Sequence, residues 1–233
     1  MNDFPFRAGI ATGRALAVGI LLLFAGAASA AEVRFERALV YLEHNASDND
    51  MEVRFAATAS AGGFAALRVI APDGRTVIDF KSPDSKIGIR HLDLETPEPR
   101  NDGSIQAEFP QGVYRFEGIM VDGATVQAEA TLSHAVAVTP TLLTPQHEQD
   151  DVPLRGARVR WTTVPDAVSC VVIIEDQDST RELRVTLPGT AASFAIPDGF
   201  LLPGKDYKLS IGAVMASGNR SFVESEFSAA KRR

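Results

Sequence analysis

One cysteine, one tryptophan and three tyrosines among 233 residues mark what this sequence is poor in. Cys170 has no second cysteine to pair with, so no intramolecular disulfide staples the fold and its stability must come from core burial. Motifs of common chemistry are missing too: there is no H-E-x-x-H, G-x-S-x-G, Walker loop, G-x-G-x-x-G or cysteine cluster. Positive charge is in deficit, with 23 Lys and Arg against 30 Asp and Glu. An acidic chain gains no counterion release on a phosphate backbone, so nucleic acid and anionic lipid surfaces are not expected partners. No long stretch sustains helical spacing. What remains are short runs of Val, Ile, Phe and Thr, punctuated by 13 prolines and 18 glycines, which is the composition of a β protein.

The chain opens with Arg7 and Arg14, then an apolar stretch over 15–27, then Ala28-Ser29-Ala30. Basic n-region, h-region and small-residue cleavage site stand in the order of a secretory signal peptide, with the cut expected after Ala30. The uninterrupted apolar run is shorter than the ~20 residues a membrane-spanning helix needs. No stable membrane insertion is therefore expected after cleavage, and with no cysteine at the new N-terminus no lipid anchor is expected. Removing 30 residues from 233 leaves 203, and losing Asp3, Arg7 and Arg14 takes the net charge from −7 to −8. The expected address is the periplasm, with the extracellular space as the alternative.

Residues 51–56 alternate Met51, Val53, Phe55 against Glu52 and Arg54, the pattern of a half-buried strand. Residues 64–70 and 76–80 flank Pro72-Asp73-Gly74, whose proline and glycine fit a tight turn. Residues 87–94 alternate again, 95–103 form an acidic, proline-containing loop, and 112–118 and 124–133 flank an Asp122-Gly123 turn. Together these predict a β-sandwich of about seven strands over residues 31–137. Residues 136–140 form a short linker, so a semi-rigid tandem with a second sandwich over 138–229 is expected.

In that second part Ala157, Val159 and Trp161 share one face, and Cys170, Val172 and Ile174 share another. Cys170 reads as a small buried hydrophobe and not as a reactive thiolate, for which a neighbouring cation and some exposure are needed. Strands follow at 181–187, 191–196, 205–215 and 221–228, with Leu202-Pro203-Gly204-Lys205-Asp206-Tyr207 opening the third of them. A core Trp on an early strand together with this late Tyr motif resembles the fibronectin type III domain, over most of residues 140–228. The resemblance implies an immunoglobulin-like β-sandwich in which Tyr207 forms a tyrosine corner. It implies no integrin binding, because Ala216-Ser217-Gly218-Asn219 stands where some members carry Arg-Gly-Asp. The segment Phe109 to Gly118, with Val121-Asp122-Gly123 and Thr131-Leu132-Ser133-His134, resembles a part of secreted bacterial proteins that precedes such a domain, and implies architecture without activity.

The reading is thus all-β: a cleaved leader at 1–30, then two tandem immunoglobulin-like sandwiches, the second fibronectin type III-like. No catalytic, cofactor-binding or metal-ligating residue is assigned, and no cofactor. His44, His91, His134 and His147 fall in four different segments, and a scatter of Ser, His and Asp has no weight as a triad. The oxygen-rich corner from Glu43 to Glu52 suggests calcium, but with Asp48 as the first ligand Val53 and Ala59 fall where an EF-hand needs Gly and Glu, and an Asx-rich hairpin turn is the simpler reading. Glu95, Glu98 and the run 148–151 read as solvated charge. The sequons at Asn45 and Asn219 read as chance. The expected function is a non-catalytic binding or spacer module acting through protein–protein contacts, on a protein or cell-envelope partner. A carbohydrate or cell-wall polymer binder, with Tyr41 and Tyr114 as its aromatics, is the alternative, and a hydrolase with a dispersed active site ranks third.

Overall fold

The computed structural model describes residues 33–98 and 102–231; the expected leader lies outside the described residues. Seven strands come from the first half: β1 (Phe35–Asn45), β2 (Asp50–Ala59), β3 (Phe64–Ile70), β4 (Thr76–Lys81), β5 (His91–Glu95), β6 (Gly112–Met120) and β7 (Thr125–Leu132). The second half supplies β8 (Leu142–Thr144), β9 (Gln149–Val152), β10 (Arg158–Trp161), β11 (Ala167–Asp176), β12 (Glu182–Pro188), β13 (Ser193–Ala195), β14 (Asp206–Met215) and β15 (Arg220–Ala229). Two of these results depart from expectation. A short helix, α1 (Asp102–Glu108), follows the acidic loop and buries Ile105; one apolar side chain in seven residues leaves no 3.6-residue period to read. Strand β9 lies in the run taken for solvated charge and pairs with β15 through its backbone, a bond that needs no apolar side chain.

The strands form three sheets. An eight-stranded sheet runs β12-β11-β14-β15-β1-β2-β5, with β9 also bonded to β15; a four-stranded sheet runs β4-β3-β6-β7 and a three-stranded one β13-β10-β8. The large sheet is continuous across both halves of the chain. Its seam is a parallel pairing of β1 with β15, in which Glu43, His44 and Asn45 face Arg220, Ser221 and Phe222. A linker was expected to be the joint between the halves, and the seam adds to it a hydrogen-bonded ladder between residues some 177 positions apart. Pairing at such separation leaves no local trace in composition or spacing.

Registered residues on parallel strands point to the same side, which decides where the cores lie. Val40 and Leu42 of β1 join Val53 and Phe55 of β2 in one apolar cluster with Phe64, Leu67, Tyr114 and Phe116. On β15, Val223 and Phe227 belong to a second cluster with Trp161, Cys170, Val172, Tyr207 and Ile211. Both clusters sit on one face of the eight-stranded sheet, under the four-stranded and three-stranded sheets respectively. Trp161 is 1% exposed and Cys170 is buried, its thiol pKa pushed up by that burial. The turn before β14 closes as the tyrosine corner requires: the Leu202 amide donates to the Tyr207 hydroxyl at 2.8 Å, and Gly204 takes a positive φ of 66°.

Candidate functional site

Among the described residues no further sheet packs on the other face of the eight-stranded sheet. Its residues are the alternate ones of each strand: Glu43 of β1, Glu52 and Arg54 of β2, Asp93 and Glu95 of β5, Arg220 and Glu224 of β15. All of these but Glu95 line a groove of about 610 Å³ that continues onto Val171, Ile173 and Phe222 in the second half. Phe222 lies over Gly212, its cross-strand partner, where any Cβ would collide with the ring. Arg184 of β12 also lines the groove, near enough for its charge to act on Glu43.

Arg54 is the centre of the charged end. Its Nη1 stands 2.8 Å from Glu95, 3.2 Å from Glu52 and 3.8 Å from Glu43, and its Nη2 stands 3.2 Å from Asp93. Arg220 lies 3.6 Å from Glu43, with its guanidinium carbon 4.3 Å from the centre of the Tyr41 ring, a cation–π stack. Burial pushes the Glu52 carboxyl up to about 7, a rise that Arg54 only partly opposes and Glu43 and Glu95 reinforce. Glu43 is also raised, again chiefly by burial, with Arg220 and Arg54 opposing. Burial works against the charge on Arg54, but the bond to Asp93 and the fields of Glu43 and Glu52 outweigh it and keep the guanidinium ionised.

The seam beneath is polar and hydrogen-bonded through Asn219, His44 and Ser221. Asn219 is 1% exposed; its Oδ1 accepts from the Leu42 amide at 3.0 Å, while its Nδ2 donates to the carbonyls of Ser133 (2.9 Å) and Ala135 (2.7 Å). One side chain thereby ties β1, the segment that follows β7 and the β14–β15 turn together. His44 bonds Ser221, which also contacts Thr139. An Asn219 so enclosed has no room for a glycan.

The Glu43 to Glu52 corner divides in two. At its tip the Ser47 amide donates to Asn45 Oδ1, Asn45 donates to Asp48, and Asn49 takes a φ of 54°, an Asx turn. At its base Glu43 and Glu52 leave the turn for the sheet face and Arg54. Among the described residues no group of three or more His, Cys, Asp or Glu is placed to hold a metal ion. The four histidines stay apart: besides His44, His91 bonds Thr58, His134 bonds the Phe109 carbonyl, and His147 is exposed beside Glu148. Glu95 pairs with Arg54 while its side chain stays 60% exposed to solvent. Tyr41 and Tyr114, named as aromatics for a polysaccharide, are both buried; the Tyr114 hydroxyl donates to the Pro110 carbonyl at 3.0 Å, and burial pushes its pKa up to about 12. The groove residues Arg54 and Arg220 carried no functional reading in the sequence, and Glu52 figured only in the calcium alternative. One signal was present: spacing about the 46–49 turn sets Glu43 directly opposite Glu52.

No protein-family model matches the chain and no curated protein sequence does. Solved structures similar to it include fibronectin type III modules. The fibronectin(III)-like modules of Clostridium thermocellum CbhA are 8% identical, with 86% of this chain and 95% of that one covered at a TM-score of 0.34. A two-domain fibronectin type III segment of chicken tenascin is 13% identical, covering 84% and 97% at 0.31. The tetra-tandem repeat from the extending region of a large adhesion protein is also 13% identical, covering 83% and 49% at 0.30. Identities and scores of this size carry no role over to the present chain. No helix among the described residues is long and apolar enough to cross a membrane.

Proposed function

We propose that this is a non-catalytic module of the periplasm or the extracellular space, built as two sandwich halves over 31–137 and 138–229, that acts by binding another protein. The observation that carries this reading is the bare face of the eight-stranded sheet. Both halves contribute strands to it, and its groove collects charged side chains that the cores do not use. Sandwich folds host unrelated roles, so the function is assigned from this face and not from the architecture. A polysaccharide platform is less favoured, since Tyr41 lies beneath Arg220 and Tyr114 lies inside the first core.

Two measurements test it. The mature chain should turn over no common ester, glycoside or peptide substrate; metal-dependent hydrolysis lost on changing Asp48 and Asp50 would overturn the reading. Covalent capture from a periplasmic extract should yield a discrete partner that Asp93→Lys, on the half-exposed wall of the groove, fails to retain. A partner held equally well by that variant would place the interface elsewhere.

A further inference from the structure

The carboxylates of the groove outnumber the cations set to balance them. Glu43 and Glu52 are direct cross-strand neighbours in the β1–β2 hairpin, and like charges so placed destabilise a sheet unless positive charge lies between them. A single guanidinium nitrogen, Arg54 Nη1, serves both of them and Glu95 as well, at 3.8, 3.2 and 2.8 Å. Arg220 reaches only Glu43, with its face turned to the Tyr41 ring. With Asp93, these four carboxylates are held by Arg54 and Arg220, and Arg184 adds only its field at Glu43. A second observation is independent of that count: Glu52 is 5% exposed, lines the groove, and among the described residues its Oε2 has no hydrogen-bond partner, the nearby Arg54 Nε and Arg220 Nε being unpaired as well. A buried carboxylate oxygen without a donor is a state native proteins rarely leave unresolved.

The remainder of the groove limits what can supply that donor. From Glu52 on β2 it crosses β1, β15 and β14 to Ile173 on β11, five neighbouring strands, or roughly 19 Å at about 4.8 Å per strand. Toward its other end Val171, Ile173 and Phe222 cluster on the same face, with Arg184 and Thr186 of β12 beyond them. A charged head at one end and apolar contact at the other suit a cationic side chain on a polypeptide better than a bare ion.

We propose that this groove seats a lysine or arginine side chain of a partner protein, its nitrogen donating to Glu52 Oε2 beside Glu43 and its apolar neighbours resting on Val171, Ile173 and Phe222. The proposal rests on the sheet-face reading above and names the chemistry of the occupant. A metal ion fits less well, because Arg54 already bridges the carboxylates it would need.

The test is calorimetric titration of the mature chain with blocked pentapeptides Ser-Leu-X-Leu-Ser, where X is Lys, Arg, Gln or Glu, and with putrescine. The Lys and Arg peptides should bind at least about tenfold more tightly than the Gln and Glu peptides, as a charge-assisted bond to a desolvated carboxylate requires. Glu52→Gln, which removes a buried charge and keeps the shape, should weaken the Lys peptide by a similar factor, and Glu43→Gln should do so separately. Glu182→Gln, on β12 outside the groove, should leave it unchanged. Equal binding of the Lys and Gln peptides, no binding of any, or full affinity in Glu52→Gln would overturn the proposal. Putrescine binding as tightly as the Lys peptide would overturn the choice of a polypeptide. If the peptides fail while Asp93→Lys still releases the captured partner, the cation site alone is wrong; if that variant retains the partner, the sheet-face reading is wrong as well.

Discussion

The two halves are alike inside and unlike outside. Each packs an apolar cluster against the same face of one sheet, and each holds a fully buried tyrosine whose hydroxyl closes a turn, Tyr114 in the first and Tyr207 in the second. The first core is filled by phenylalanines, Phe35, Phe55, Phe64 and Phe116, whose rings meet edge-on or tilted, and the second is filled around Trp161. On the opposite face the first half presents Glu43, Glu52, Arg54 and Asp93, while the second presents the apolar cluster of Val171, Ile173 and Phe222 beside Arg184, Arg220 and Glu224. Burial constrains the inner face of both halves in the same way. The outer face is free of that constraint, and there the halves differ: only the second adds an apolar cluster to the charged groove.

The most severe way to probe that likeness is to empty each core in turn. Phe116→Ala and Trp161→Ala should each destabilise by about 3–5 kcal/mol, from lost transfer energy and the cavity left behind. Trp161 is the chain's only tryptophan, so its fluorescence reports the second half alone. Because β1 pairs with β15 and Asn219 clamps the seam, Phe116→Ala should lower the fluorescence midpoint in urea as far as the circular-dichroism midpoint. Asn219→Ala, which deletes three hydrogen bonds worth roughly 3 kcal/mol together, should separate the two transitions. A fluorescence transition indifferent to Phe116→Ala would show that the halves fold independently despite their common sheet.

What could be read in the sequence follows the same division. Inner faces were legible because alternation is a local signal: Met51, Val53 and Phe55 face the core as their spacing implies, and so do Val159 and Trp161. The tyrosine corner at Tyr207 was legible through its motif, whereas its counterpart at Tyr114 was named only as a possible sugar-binding ring. The seam was not legible, since β1 and β15 meet across the whole length of the chain and parallel pairing needs only backbone. Without the seam the groove has one wall. Glu52 and Arg54 then read as the polar side of an ordinary strand, and Arg220 as part of a chance sequon.

The charged end should also make stability depend on pH in one half more than the other. Glu52 has a folded-state pKa of about 7 against 4.5 when unfolded, so between these values the folded chain holds more protons than the unfolded one. Stability must therefore fall as pH rises from about 4.5 to 7 and level off above, by on the order of 3 kcal/mol from this group. Glu43, also raised, acts in the same direction. Glu52→Gln should flatten most of the slope and leave the protein more stable than the parent at pH 8. Amide exchange should locate the change in β1 and β2, and an equal change in β11 and β14 would contradict the assignment.

The smallest effect bears on the feature the halves share most closely. Tyr114 donates its hydroxyl proton to the Pro110 carbonyl, whereas Tyr207 accepts a proton from the Leu202 amide. A carbonyl that loses its partner keeps a second lone pair for water, but an amide in a part-buried turn has one proton and no alternative. Tyr207→Phe should consequently cost about 1–2 kcal/mol and Tyr114→Phe about 0.5–1 kcal/mol, both measured by urea unfolding. The rings themselves stay in place in both variants, so the difference isolates the hydroxyl. If Tyr114→Phe is the more damaging, the first half depends on its turn more than the second does, and the likeness between the two corners is one of shape without a common energetic role.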